Sequence, residues 1–237
     1  MNAGKKTYSQ CARCSGKTCY PFALVKDPLP PLEEAPDFCP MRRHPEILTK
    51  TESAYQKKSV REFARLASVQ EAECYELTPE GLKTKITRIE ETMLFARKCG
   101  FRRLGIAFCI GLREEARQVS AIFEAGGFEV VSVCCKLGRV PKESIRVAPE
   151  EKIALPEMFE PMCNPIAQAE IMNAEQVELA VQLGLCVGHD SLFIRHCKVL
   201  TTVLAVKDRV LGHNPLAAVY LSKGPYYSRL RANTGNE

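Results

Sequence analysis

The stretches RLGIAFC (residues 103–109) and FEVVSVCC (residues 128–135) decide the fold of this chain. Each is a short apolar run, rich in Val, Ile and Phe and too brief to be a buried helix. Between them a helical pattern runs from residue 112 to 125 and stops at Gly126-Gly127. Strand, crossover helix and strand form the repeating unit of a parallel sheet. Downstream the alternation continues. Asn164-Pro165 reads as an N-cap and first helical residue, opening a helix that the pattern carries to Val181. A short strand is predicted over 185–187, a helical turn over 191–197 and a strand over 199–206. The expected class is α/β, with a three-layer, mostly parallel sheet.

Upstream, residues 44–76 read as helix, with Phe63, Leu66, Ala67 and Cys74 on one face. Thr78-Pro79 reads as the cap and first turn of a second helix through Leu82, Ile86, Ile89, Met93 and Ala96 to a stop at Gly100. Before residue 43 helical periodicity disappears, and Cys, Pro and Gly take over. Pro28, Pro30, Pro31 and Pro36 keep the path from Cys19 to Cys39 extended. The organisation read from sequence is a cysteine-rich metal-binding cap over 1–42 and an α/β domain with leading helices over 43–237.

Two cysteine groups carry the chemistry. Cys11-x2-Cys14-x4-Cys19, completed by Cys39-Pro40, supplies four thiolates, and a Cys-x2-Cys turn points both sulfurs at one ion or cluster edge. The second group follows from the fold. Cys109 ends the first strand, Cys134 and Cys135 end the second, and Cys186 precedes Gly188-His189-Asp190. In open parallel sheets, ligands bind beyond the carboxyl ends of the strands, so these thiols are expected to converge there. Cys163 stands just before the N-cap, where the helix dipole favours thiolate. Cys197 closes the short helix after Ser191. We therefore take Cys109, Cys134, Cys163, Cys186 and Cys197 as a second cluster site or reactive centre, with His189 as proton donor or ligand. Successive strand residues face opposite ways, so one of Cys134 and Cys135 must turn from the site. Cys74 and Cys99 continue apolar helix stripes and read as packing. His196 and His213 are weaker candidates, and His44 reads as surface.

Composition narrows the function classes. The 237 residues hold 12 cysteines, well below the density of a disulfide scaffold. Residues 1–10 contain no apolar stretch of the signal-peptide kind, so a reducing cytoplasm is expected. The longest apolar run, near residues 199–206, is too short to cross a bilayer. Formal charge is +5, but thiolate ligands would cancel most of it, and the basic pairs are scattered. No aromatic platform accompanies them, so neither nucleic acid nor membrane is expected as a partner. No dinucleotide fingerprint, Walker loop, G-x-S-x-G or H-E-x-x-H motif is present.

The segments CNPIAQA (163–169), LCVGHDSLF (185–193) and KDRVLGHNPL (207–216), together with the Cys11, Cys14 and Cys19 cluster, resemble a family of uncharacterised cysteine-rich metal-binding proteins of archaea and anaerobic bacteria. The resemblance spans nearly the whole chain. It implies a metalloprotein in an anaerobic or strictly reducing setting and assigns no reaction.

A structural zinc usually takes paired Cys-x2-Cys knuckles, and this chain has one. Three close cysteines plus a remote Cys-Pro are nearer the ferredoxin manner, though the spacing is not the ferredoxin spacing. The expected cofactor is a [4Fe-4S] cluster, one or two per chain, with zinc as the alternative. Three readings stand: an iron–sulfur protein doing redox or sulfur-transfer chemistry at the cysteine-lined sheet edge, acting on a small-molecule substrate or redox partner; a zinc-stabilised α/β enzyme with Cys163 as nucleophile and His189 as base; and a non-enzymatic metal carrier or sensor.

Overall fold

A computed structural model describes residues 8–231, apart from 17, 22 and 23. The reading of the first ten residues thus falls mostly outside the described part. The chain divides at Val69/Gln70 into two compact units.

The first unit contains short 3-10 turns at Cys11–Arg13 and Leu32–Glu34, then α1 (Pro40–Arg43), α2 (Pro45–Tyr55) and the start of α3 (Lys58–Glu73). Proline opens both α1 and α2, where its missing N–H costs nothing. Arg42 fastens the preceding loop, donating to the Ala35 carbonyl at 2.6 Å and pairing with Asp37 at 3.0 Å. The helix expected over 44–76 is therefore two helices, interrupted at Gln56-Lys57 and ending at Glu73.

The second unit opens on a hairpin, β1 (Tyr75–Thr78) and β2 (Gly81–Thr84), paired antiparallel. This corrects the reading of Thr78-Pro79 as a helix start. Gly81 adopts φ +118°, and the Thr78 hydroxyl donates to its carbonyl at 2.9 Å, so the four residues close a turn. The helix begins later, as α4 (Arg88–Lys98), where Thr87 N–H donates to the Glu90 carboxylate at 2.8 Å.

Then come β3 (Arg103–Phe108), α5 (Arg113–Ala125), β4 (Glu129–Cys134), α6 (Pro165–Ala174), β5 (Leu179–Leu183), α7 (His189–His196), β6 (Leu200–Ala205) and α8 (Leu216–Leu221). The sheet order is β4-β3-β5-β6, with every pairing parallel. Every residue of β5 is buried, as expected for a central parallel strand. Two boundaries differ from the sequence reading. The helix after Pro165 stops at Ala174, and the third strand is LAVQL at 179–183, not 185–187. Gln176, at φ +54°, reverses the chain without a glycine.

Parity along β3 sorts the two faces. A Cβ on Gly105 would collide with Met172 of α6 and with Val177, so this face lies against α6. Phe108 has the opposite parity. Together with Ser132 of β4 it lines a cleft of about 340 Å³ beside α5. The core gathers Leu104, Ile106, Phe123, Met172, Val181 and Phe193, all nearly or wholly inaccessible.

A thiol-lined edge as candidate functional site

From β3 the chain crosses to β4 on one side, then returns to β5 on the other side of β3. The connections diverge between the carboxyl ends of β3 and β5, the place where an open parallel sheet receives a ligand. Cys109 follows β3 and Cys186 follows β5. Cys109 N–H donates to the Leu183 carbonyl at 3.2 Å, holding the first of these loops to the neighbouring strand.

Cys135 follows β4, and two backbone bonds fix it: its N–H donates to Phe108 O at 2.9 Å, and its carbonyl accepts from Asn164 N–H at 2.7 Å. The second bond brings the start of α6 to the end of β4, and Cys163 with it. Asn164 caps α6 by accepting from Ala167 N–H at 3.1 Å, and Pro165 is the first helical residue, as the sequence predicts. Cys163 arrives from a long, braced connection. Within it Lys142 N–H donates to Glu160 O at 3.0 Å, Met162 N–H to Val140 O at 2.7 Å, and the Glu160 carboxylate accepts from Ile153 and Ala154 N–H at 2.9 and 3.0 Å.

Four thiols meet here. The Cys135 thiol, 1% exposed, donates toward both Cys109 and Cys163, and Cys109 also engages Cys186. Donation to two neighbours, joined by burial, drives the Cys135 pKa upward. The same bond lowers Cys109 and Cys163, each to about 5. Burial opposes this in both. For Cys109 the Gly111 N–H and the Lys207 charge assist, and for Cys163 the charges of Lys136 and His189 do. One S–H proton serves one neighbour at a time, so the three titrate as a unit. Burial raises Cys186, and the Cys109 charge adds to that, against Arg209, whose Nη2 donates to the Cys186 sulfur at 3.0 Å. Ile110 N–H donates to the Cys135 sulfur at 3.4 Å.

The sequence reading included Cys134 and left Cys135 as its alternate; the geometry reverses them. Val133 pairs with Ala107 and Cys134 with Phe108. Cys134 therefore shares the parity of Phe108 and Ser132, away from the α6 side, while Cys135 joins the thiols. Cys197 stays apart as well. It caps α7, donating its N–H to Phe193 O at 2.8 Å, and packs against the core. His189 is the first residue of α7. Its Nδ1 is buried without a hydrogen-bond partner, and its charge bears on Cys163.

Other groups at the edge escaped the sequence reading. Gln168, wholly buried on α6, donates from Nε2 to Val133 O at 2.7 Å and Phe108 O at 3.2 Å, binding the helix that follows Cys163 to the strand ends that precede Cys135 and Cys109. Its position one turn into a helix at a strand edge was the available signal. Lys136, Lys207 and Arg209 were passed over because basic residues on loops usually read as solvated. The loop carrying the last two is organised by Asp208, whose Oδ1 accepts from Val210 and Leu211 N–H at 3.0 and 2.9 Å. His213 Nδ1 accepts from Asp208 N–H at 3.1 Å, so His213 supports that loop.

The amino-terminal cysteines lie in the other unit. Cys11 and Cys19 are exposed and Cys39 is buried, while Cys14 accepts from Gly16 N–H at 3.4 Å. Among the described residues no three His, Cys, Asp or Glu side chains are arranged to ligate a single ion. Cys74 donates to Gln70 O at 3.3 Å, and burial pushes the Cys99 thiol up. Among the described residues no helix is long and apolar enough to cross a membrane.

A parallel sheet whose carboxyl edge is lined by thiols defines a cysteine-rich α/β protein. Residues 39–204 match the family described as "Protein of unknown function (DUF1847)", and the chain belongs to that family. It is similar to an uncharacterized protein of Methanocaldococcus jannaschii, with 36% identity over 211 residues, 89% of this chain and 93% of the relative. The family match contains Cys109, Cys135, Cys163 and Cys186, whereas Cys11, Cys14 and Cys19 precede it. No solved structure matches the chain.

Proposed function

We propose that the edge thiols hold an iron–sulfur centre of the [4Fe-4S] kind, with the sheet as its scaffold and helices on both faces in a three-layer arrangement. One observation carries this reading: four cysteines, from four separate segments, meet at the topological switch point among N–H groups and cations. The donor chemistry fits. Soft thiolates suit iron–sulfur clusters, and N–H bonds to sulfur are among the features that set cluster potential. Among the described residues no three such side chains converge on one ion, whereas a cluster asks each of its irons for a single thiolate. When bound, the cluster supplies electron transfer or sulfur chemistry to a small-molecule substrate or redox partner. The chain's own residues hold the sulfurs: Gln168 fixes two strand ends, Asn164 fixes the Cys163 turn, and Arg209 holds Cys186. Cys11, Cys14, Cys19 and Cys39 are proposed as a second metal site, in keeping with a reducing cytoplasmic setting.

Metal-free thiol chemistry is favoured by one feature, the lowered Cys163 beside a buried His189 Nδ1. Anaerobic purification with iron, sulfide and zinc analysis separates the two. Cys135→Ser should lose the iron and sulfide of the edge centre, and Cys134→Ser should retain them. A wild-type chain without iron, in which Cys163 is rapidly alkylated, would overturn the cluster in favour of the nucleophile.

A further inference from the structure

We infer that the species this edge receives from solvent is a small anion, taken between Lys207 and Arg209. The inference deepens the reading above, since it names the substrate class of the same centre. Its observations are independent of what the thiols hold.

Three cations from two loops face the thiols. Lys136 follows Cys135 and donates from Nζ to Pro161 O at 2.6 Å, which draws the ammonium back over the loop that leads to Cys163. Lys207 follows β6 and turns toward the loop after Cys109; a Cβ on Gly111 would stand 3.0 Å from its Nζ. The ammonium thus lies close against the backbone of the loop that follows Cys109. Arg209 is exposed, and its guanidinium reaches Cys186 at 3.0 Å.

None of the three has a carboxylate within ion-pair distance among the described residues. Two nearby acids, Asp190 at the start of α7 and Asp208 beside Lys207, are engaged by backbone N–H groups. Asp190 accepts from Gly188 and Ser191 N–H at 2.9 and 2.7 Å, and Asp208 accepts from Val210 and Leu211 N–H. An aliphatic rim, Val187 at 92% and Val210 at 76% exposure, borders these groups in sequence and offers no negative charge. Four thiolates around either a zinc ion or a cluster core of charge +2 carry two negative charges, which three cations more than offset. Unpaired cations beside a recessed centre concentrate anions and speed their encounter, an effect that salt removes.

Ferricyanide serves as the probe, because it is a trianion that takes one electron per ion from a thiolate or from a cluster and leaves as ferrocyanide. Its reduction is followed with the full chain, purified anaerobically, and the rate of the variant with Cys109, Cys135, Cys163 and Cys186 all replaced by Ser is subtracted so that only the edge centre is read. The double variant Lys207→Gln/Arg209→Gln should slow the reaction about tenfold at low ionic strength and converge on wild type at high salt. Dioxygen, a neutral oxidant, reads whatever the same substitutions do to the sulfurs that Lys207 and Arg209 touch, and its rate should change by no more than about twofold. Equal ferricyanide rates would overturn the proposal. An equal slowing with dioxygen would overturn it too, since the cations would then act on sulfur reactivity rather than on an arriving anion. Iron content is measured on the same samples, so a charge effect without iron sinks the cluster and leaves the anion site standing.

Discussion

Replacing Glu160 by Gln should loosen the connection that delivers Cys163 while leaving the sheet intact. The Glu160 carboxylate accepts from Ile153 and Ala154 N–H and pairs with Lys142 at 2.7 Å, with side chains only 12% and 16% exposed. Hydrogen bonds to a charged group contribute about 1.5–3 kcal/mol each, against roughly 1 kcal/mol for neutral ones. Gln keeps an acceptor of the right size and loses the charge, so the three contacts together should weaken by about 2–3 kcal/mol. That corresponds to roughly 30- to 160-fold faster amide exchange through local opening of residues 142–162. The Ala154 N–H bond first, and the Lys142 contact next, hold this carboxyl at about 2, below its ordinary 4.5. A depressed carboxyl stabilises fully above pH 4.5, and its contribution fades as pH falls toward 2. The difference between wild type and Glu160→Gln should therefore be full at neutral pH and shrink across that window. Hydrogen-exchange mass spectrometry at pH 7 and pH 3 reads both. Unchanged exchange in 142–162, or a difference as large at pH 3 as at pH 7, would refute the assignment of this carboxylate as the brace.

Gly105→Ala should lose about 1–3 kcal/mol in denaturant unfolding, because its Cβ runs into Met172 and Val177, and adding Met172→Ala should recover part of that loss. Gln168→Met surrenders the donation to Val133 O but also removes an unpartnered buried Oε1, while Phe108 O keeps its bond from Cys135 N–H. The net cost should be about 1–2 kcal/mol, less than the ~2–5 kcal/mol of Met172→Ala. Only Gln168→Met should alter the alkylation pattern of Cys109, Cys135 and Cys163 by mass spectrometry, and identical patterns would make Gln168 an ordinary core residue. Cys14→Ser should lower metal content and expose residues 8–39 to protease while the second unit keeps its resistance; full metal and full resistance would remove Cys14 as a ligand.

Strand β3 was legible because a central parallel strand buried on both faces needs an unbroken apolar run, as residues 104–108 are, and the partly exposed edge strand β4 was legible from its β-branched Val130, Val131 and Val133. The end of α6 was not. Glu175, Gln176 and Val177 continue a helical composition, and the reversal falls on a non-glycine residue with positive φ, which carries no letter of its own. Thr78-Pro79 suits both a helix start and a turn. Gly81, which only the turn requires, was the deciding residue, and Thr87 with Glu90 was the cap to find. Convergence of Cys109, Cys163 and Cys186 followed from strand ends and one helix start. The choice between Cys134 and Cys135 could not follow, since parity selects a face only when the position of α6 relative to the sheet is known.

The two cysteine groups also differ in when they can exist. Cys11, Cys14 and Cys19 are near neighbours, and a chain emerging from the ribosome can bring them together at the small entropic cost of closing short loops. The edge group has no local version. Its members are separated by α5, by the braced connection and by α6, so the sulfurs are strangers until β5 has been synthesised and has paired with β3. A ligand of all four sulfurs would therefore be admitted only after β3, β4 and β5 have paired, so that its binding would follow folding of this part of the sheet rather than synthesis alone.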